Sequence, residues 1–220
     1  MKILLGKEAE RFVGLPGPKS DYIKDISSAK TVMKRLKLAY PLVLKLISQQ
    51  AVHKSDIGGV HIVNSDNELE NAIADMQKTI KQKKMTYVLM PKGVGSPGKM
   101  LLQEFIKGHE LIIGVKHDAT FGQIIAFGIG GKYVEILKDV SFRACPIDVN
   151  EAEDMIEQLK FKAIIEGARG GIKANKKMIA NTLVNISKLA VSKKMQELDI
   201  NPLIVTEKNA YAVDVRVIVE

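Results

Sequence analysis

The chain has 220 residues, and a composition of 46% hydrophobic and 26% charged residues excludes a disordered polymer and a membrane-spanning bundle. Its single cysteine, Cys145, excludes an intrachain disulfide and fits a reducing cytoplasm, while four scattered histidines offer no zinc-type cluster. The formal charge of +8 raises nucleic acid as a partner, but only 5% of residues are aromatic and none is tryptophan, which argues against stacking on single strands.

In chain order, Met1–Lys7 returns to charge after a short apolar run and lacks a secretory core. Glu8–Val13 is predicted as a short helix, ended by the Gly14–Pro18 stretch. Ser27 or Ser28 is expected to cap a helix carrying Ala29, Val32, Met33 and Leu36 on one face. Pro41 stops it and opens a buried strand at Leu42–Ile47. Gly58-Gly59 turns the chain into Val60–Val63, and Ser65 with Glu68 forms a capping box before Leu69, Ala72, Ile73, Met76 and Ile80 at helical spacing. Strands are predicted at Thr86–Met90 and Met100–Phe105, around a loop at Pro91–Lys99. Glu110–Lys116 and Gln123–Phe127 read as a meander, and Tyr133–Leu137 as a further strand. Helices follow near Val149–Leu159 and Lys176–Lys194. A hairpin of Leu203–Val205 and Ala210–Val219 closes the chain, with Tyr211, Val213, Val215, Val217 and Val219 sharing one face. Helices interspersed with many strands predict an α+β architecture. Gly128-Ile129-Gly130-Gly131 leads into a strand, which excludes a Rossmann fingerprint, and no Walker A sequence exists.

Several residues could carry chemistry. Lys45 interrupts an apolar strand, so its ammonium needs an anion, either a ligand phosphate or a structural carboxylate. His53, in His53-Lys54-Ser55-Asp56 just before Gly58-Gly59, is either a surface histidine or a nucleophile able to approach a phosphate. Glu104-Phe105-Ile106 and Glu110 join two strands; their backbone groups can bond an adenine edge and a carboxylate can take ribose hydroxyls, or the charges are simply solvated. Asp199 and Asn201 lie two apart, so they can point the same way, and Asp214 stands across the predicted hairpin. Such oxygen donors suit Mg²⁺; a buried hydrogen-bond cluster is the other reading. His61, His109 and His117 read as surface or packing residues, and Cys145 as an inert thiol.

Taken together these segments resemble one family. Tyr40–Lys45 through His53–Val60, Leu102–Ile106 with Gly108–Val115, Phe121–Gly131 with Glu135–Arg143, and Glu197–Leu203 with Val213-Asp214 are similar to the β-subunits of ADP-forming acetyl-CoA synthetases over nearly the whole chain. The resemblance implies an ATP-grasp fold, two α+β lobes with the nucleotide between them, divided at 1–103 and 104–220. It further implies that Lys45, beside Gly58 and Gly59, meets the nucleotide phosphates, and that Glu104, Phe105 and Ile106 hold adenine. Glu110 would lie by the nucleoside, and Asn201 and Asp214 would ligate Mg²⁺ with Asp199 beside them. His53 matches the histidine that carries phosphate, so the expected activity is a cytoplasmic acid–CoA ligase passing phosphoryl between phosphohistidine and ADP or ATP. The expected partner is a CoA-binding α-subunit with its own phosphorylatable histidine, in an α2β2-type hetero-oligomer, with neither nucleic acid nor membrane. The alternatives are a succinyl-CoA synthetase-like subunit and a non-catalytic nucleotide-binding module. The sequence departs from the pattern at His61, in the Lys92–Lys99 loop and in a shortened segment before Pro16.

Overall fold

Two hydrophobic cores form, each against one face of an antiparallel sheet. The computed structural model describes residues 2–47, 58–82, 100–131 and 139–220. His53, the strands expected at Thr86–Met90 and Tyr133–Leu137, and the Pro91–Lys99 loop lie outside the described residues. The first elements are β1 (Lys2–Leu5), α1 (Lys7–Val13), β2 (Ser20–Ile23), α2 (Ile26–Leu36), β3 (Leu42–Leu46), β4 (Val60–Val63), α3 (Asp66–Gln82) and β5 (Met100–Glu104). They are followed by β6 (His109–Asp118), β7 (Gly122–Ile129), β8 (Val140–Ala144), α4 (Val149–Glu157), α5 (Lys162–Ile165), α6 (Lys176–Ser192), β9 (Met195–Val205), β10 (Ala210–Ala212) and β11 (Val215–Val219). No helix among the described residues is long and apolar enough to cross a membrane.

Contacts group Pro18–Ile106 into one unit, and Met1–Gly17 with Lys107–Glu220 into the other. The expected division at 1–103 and 104–220 assigned the first 17 residues to the amino-terminal lobe; here they belong with the carboxy-terminal residues. The reason is β1, a four-residue apolar segment whose ladder partner is β11, with Lys2 opposite Val219 and Leu5 opposite Arg216.

In the unit of Pro18–Ile106 the strand order is β2-β5-β3-β4. Leu42, Leu44 and Leu46 alternate onto the face covered by Ala29 and Val32 of α2 and by Leu69, Ala72, Ile73, Met76 and Ile80 of α3. The cap of α2 is Asp25 rather than Ser27 or Ser28. Its carboxylate accepts from Ser28 N at 2.8 Å, and Ser28 Oγ accepts from Asp25 N at 3.0 Å, so Ser28 closes a capping box from the third helical position. At the start of α3 the Ser65 hydroxyl accepts from Glu68 N as expected, but the Glu68 carboxylate reaches Asn64 N at 2.9 Å. Tyr40 donates to Asp66 Oδ1 at 2.7 Å, tying the approach to β3 to the same helix end.

In the other unit the order is β1-β11-β9-β6-β7-β8, with β10 continuing alongside β9. Strand β8 was not expected; it pairs with β7 from Val140 opposite Gly128 to Ala144 opposite Ile124. Just before it, buried Asp139 accepts from Lys160 N and Phe161 N, both at 2.9 Å, and so pins the end of α4 to the sheet. The last hairpin is also corrected. Ala210 and Ala212 are buried before Val213, whereas Val215 and Val217 are buried after it, so the odd-numbered residues do not share one face throughout. The parity changes at Val213-Asp214, where the chain leaves the ladder between β10 and β11.

Asp139→Asn replaces one of two charge-assisted acceptors with a donor facing an N–H, and should lower unfolding free energy by about 2 kcal/mol in urea titration. Burial, then the hydrogen bond to Asp66, raises the Tyr40 phenol above its ordinary value. A group whose neutral form is favoured by folding contributes fully below its unfolded pKa and loses that contribution as pH rises past it. Tyr40→Phe should therefore cost about 1 kcal/mol at neutral pH, and the difference from the native chain should shrink above pH of about 10.

Candidate functional site

The alternation of β9 places its polar residues. Leu198 and Ile200 are buried in the core, so Asp199 and Asn201 emerge on the opposite face, both exposed. In the ladder Asp199 lies between Gly114 of β6 and Arg216 of β11, and the Arg216 guanidinium pairs with Glu197. One step on, Asn201 N donates to Asp214 O at 3.0 Å and Val213 N donates to Pro202 O at 3.1 Å. The parity break of the last hairpin is thus bonded directly to the Asn201 position. The backbones of Asn201 and Asp214 are neighbours, and Asp199 stands two residues before Asn201 on the same strand.

Their chemistry fits a hard divalent cation. Two carboxylates and an amide supply oxygen only, and magnesium commonly takes one or two carboxylates while keeping waters and phosphate oxygens. Among the described residues no group of three or more His, Cys, Asp or Glu side chains stands at metal-holding geometry.

Glu110 sits at the start of β6, opposite Ile204 of β9, four residues before Gly114. At strand spacing this is about 13 Å along the sheet from Asp199. Its carbonyl accepts from Gly130 N at 2.7 Å, so the Gly128–Gly131 segment is a neighbour of this position. His109, expected as a surface or packing residue, places Nε2 against the Ile172 carbonyl and donates to it, anchoring the loop after Ala168–Gly170. No spacing signal in the sequence announces that contact. Cys145 is half-buried, and burial pushes its thiol up to about 11, which keeps it protonated and inert as expected.

In the unit of Pro18–Ile106, Lys45 is 5% exposed and lies in the ladder between Val60 and Leu101. Gly59 O accepts from Leu46 N at 2.8 Å, which brings the Gly58-Gly59 turn beside Lys45. Gly58 adopts φ of 65°, a conformation that glycine takes without strain. His61 Nε2 is 3.0 Å from Gly58 O, so the residue that departs from the family pattern closes this turn. Glu104 ends β5 opposite Leu42, and its carboxylate accepts from Lys19 N at 3.3 Å. Phe105 and Ile106 follow outside any ladder, with Phe105 exposed.

The ATP-grasp domain family matches residues 4–219. The chain is 36% identical to the β-subunit of acetate–CoA ligase (ADP-forming) I of Pyrococcus furiosus, covering 96% of this chain and 88% of that one. It is 40% identical over 183 residues to acetate–CoA ligase (ADP-forming) I of Archaeoglobus fulgidus, and there it spans only 26% of the longer protein. Among solved structures it resembles the dinucleotide-forming acetyl-coenzyme A synthetase 1 of Candidatus Korarchaeum cryptofilum in complex with coenzyme A, Ca-AMPCP and HgCl+. The TM-score is 0.84 at 33% identity, covering 100% of this chain and 94% of that one. The chain belongs to the ATP-grasp family, among the β-subunits of ADP-forming acetate–CoA ligases.

Proposed function

We propose that the chain is the nucleotide-handling subunit of an ADP-forming acid–CoA ligase, which interconverts acyl-CoA, ADP and phosphate with acid, ATP and CoA. The observation that carries this reading is the bonded junction of Asn201 with Asp214, next to Asp199, on an exposed face of an ATP-grasp sheet. It supports Asn201 and Asp214 as the residues that would hold Mg²⁺ beside a nucleotide, and the related Korarchaeum structure with Ca-AMPCP supports a nucleotide accompanied by a divalent cation. When bound, the cation supplies charge neutralisation for phosphate oxygens.

This chain's own groups do the rest. Buried Lys45 offers a compact cation to a phosphate, and the Gly58-Gly59 turn lets a phosphate approach the backbone beside it. Phe105 and Ile106 present backbone donors and acceptors to the adenine edge, while the Glu104 carboxylate holds Lys19 and contributes by fixing that segment. Glu110 takes ribose hydroxyls. His53 is the phosphoryl carrier: an imidazole nitrogen attacks the phosphorus of the α-subunit's phosphohistidine, a new P–N bond forms as the donor's P–N bond breaks, and the donor imidazole leaves. A β-phosphate oxygen of ADP then attacks the same phosphorus, the P–N bond breaks and ATP leaves. The donor is delivered by a separate CoA-binding α-subunit with a phosphorylatable histidine. A β-subunit relative of nearly the same length supports that division of labour, and the longer single-chain relatives support its fusion elsewhere. We place this reaction in the cytoplasm.

With the α-subunit added, His53→Ala should cut turnover to less than about one thousandth while leaving ADP binding within a factor of about two. Unchanged turnover would remove His53 from the pathway. Asp214→Asn keeps the side-chain size but removes a charge. Calorimetry should then show nucleotide affinity falling about tenfold or more in Mg²⁺ and hardly changing in chelator. An equal loss in both conditions would assign Asp214 a structural task.

A further inference from the structure

Glu110 occupies an unusual setting for an exposed carboxylate. Among the described residues no ion pair or side-chain hydrogen bond holds it, yet its backbone is fixed on both sides. On one side it pairs with Ile204 of β9, and the preceding Gly108 passes so close that a Cβ there would come within 2.6 Å of Val205 O. On the other side Gly130 N donates to Glu110 O, and a Cβ on Gly130 would meet Glu110 C and Leu111 N at 2.9 Å. Neither glycine can gain a methyl group without moving the backbone that carries Glu110.

The side chain itself lies over Gly131. A Cβ built on Gly131 would overlap Glu110 Oε2 and stand 3.2 Å from Cδ and 3.5 Å from Cβ of the same residue. The carboxyl group therefore occupies the volume that any other residue at 131 would fill. Gly131 also has φ of 79°, so glycine is demanded twice, by conformation and by space. A Cβ at position 131 would push this carboxylate out of its present place and into another rotamer. The Gly130-Gly131 pair thus acts on a functional side chain rather than on a phosphate.

We propose that Gly131 is a positioning residue that seats the Glu110 carboxylate for the nucleoside hydroxyls, an inference that rests on the reading of Glu110 given above. Removing the seat should leave the phosphate contacts of a nucleotide intact and weaken only those to its ribose. The measurement is calorimetric binding of ADP and of 2′,3′-dideoxy-ADP to the full chain, because the second ligand lacks the groups that Glu110 would grip.

The native chain should prefer ADP by about tenfold, the discrimination expected of one charge-assisted hydrogen bond. Glu110→Ala and Gly131→Ala should each reduce that preference to about twofold or less, and the double variant should lose no more than either single one. In the Gly131→Ala background, Glu110→Asp should restore part of the preference, since a carboxylate one methylene shorter clears the added methyl. A general disturbance of the fold would weaken both ligands equally and keep their ratio. If Gly131→Ala fails to fold, Gly131→Asn delivers the same Cβ on a residue that tolerates positive φ. Preference retained in Gly131→Ala or Gly131→Asn but lost in Glu110→Ala overturns the seat alone. Preference absent from the native chain, or unaffected by Glu110→Ala, overturns the reading of Glu110 and the seat with it.

Discussion

Strand β9 must satisfy ladders on both of its edges while burying Leu198, Ile200 and Leu203 in the core, and the larger unit is organised by that double demand. Along one edge it pairs with β11 and then β10, along the other with β6. The inward set, Leu198, Ile200 and Leu203, lies in the core that Ile179, Leu183 and Ile186 of α6 also fill. Asp199 and Asn201 have no alternative but the opposite face, because a slip by one residue would bury two polar side chains and expose three apolar ones. Burial of that kind is worth about 2 kcal/mol per aliphatic side chain, so the core fixes where the polar pair stands. Chemistry on this sheet is a consequence of packing on its other side.

The break in the ladder extends the same logic. Pro202 has no N–H to give, so regular pairing cannot run through it. The opposite strand leaves register at Val213-Asp214, and two hydrogen bonds span the gap, from Asn201 N to Asp214 O and from Val213 N to Pro202 O. On that strand the core takes Ala210 and Ala212 before this point and Val215 and Val217 after it. An oxygen-bearing residue at 214 thereby stands beside Asn201 at a place where neither strand is committed to the ladder. A regular hairpin of the same sequence would have put Asp214 in the row of Arg216.

Elements with strong periodicity or paired signals were legible from the residues alone: α3 behind Ser65, β3 behind Pro41, and the β6–β7 meander. Those that escaped are short or take their reason from distant partners. Four residues, Lys2–Leu5, carry no period, and only the free edge of β11 makes them a strand. Val140–Ala144 mixes Ser141 and Arg143 with apolar residues and is a strand because β7 offers it an edge. The cap of α2 was misplaced by two or three residues because Asp25, Ser27 and Ser28 all suit the position, and the reciprocal bonds of Asp25 and Ser28 are seen only in three dimensions. At the site, the expected neighbours Asn201 and Asp214 are joined through their backbones. No spacing could tell that the Glu104 carboxylate would turn to Lys19.

Glu104 and Glu110 bring out what sequence cannot distinguish and geometry can. Both are acidic residues at strand ends, six positions apart, and either could serve a nucleoside. One is already committed: its carboxylate bonds the Lys19 amide while its own N–H bonds the Lys19 carbonyl, a two-way tie that fastens β2 to β5. The other has a fixed backbone, a carboxylate with no hydrogen bond or ion pair among the described residues, and a glycine beneath it. A side chain that binds a ligand reversibly needs this second condition, since breaking an internal bond at each binding event would subtract from affinity. A glycine at position 131 leaves room for that carboxylate without occupying its acceptors, room that any Cβ there would take. The glycine-rich stretch that fails as a phosphate loop is thereby accounted for by its neighbour.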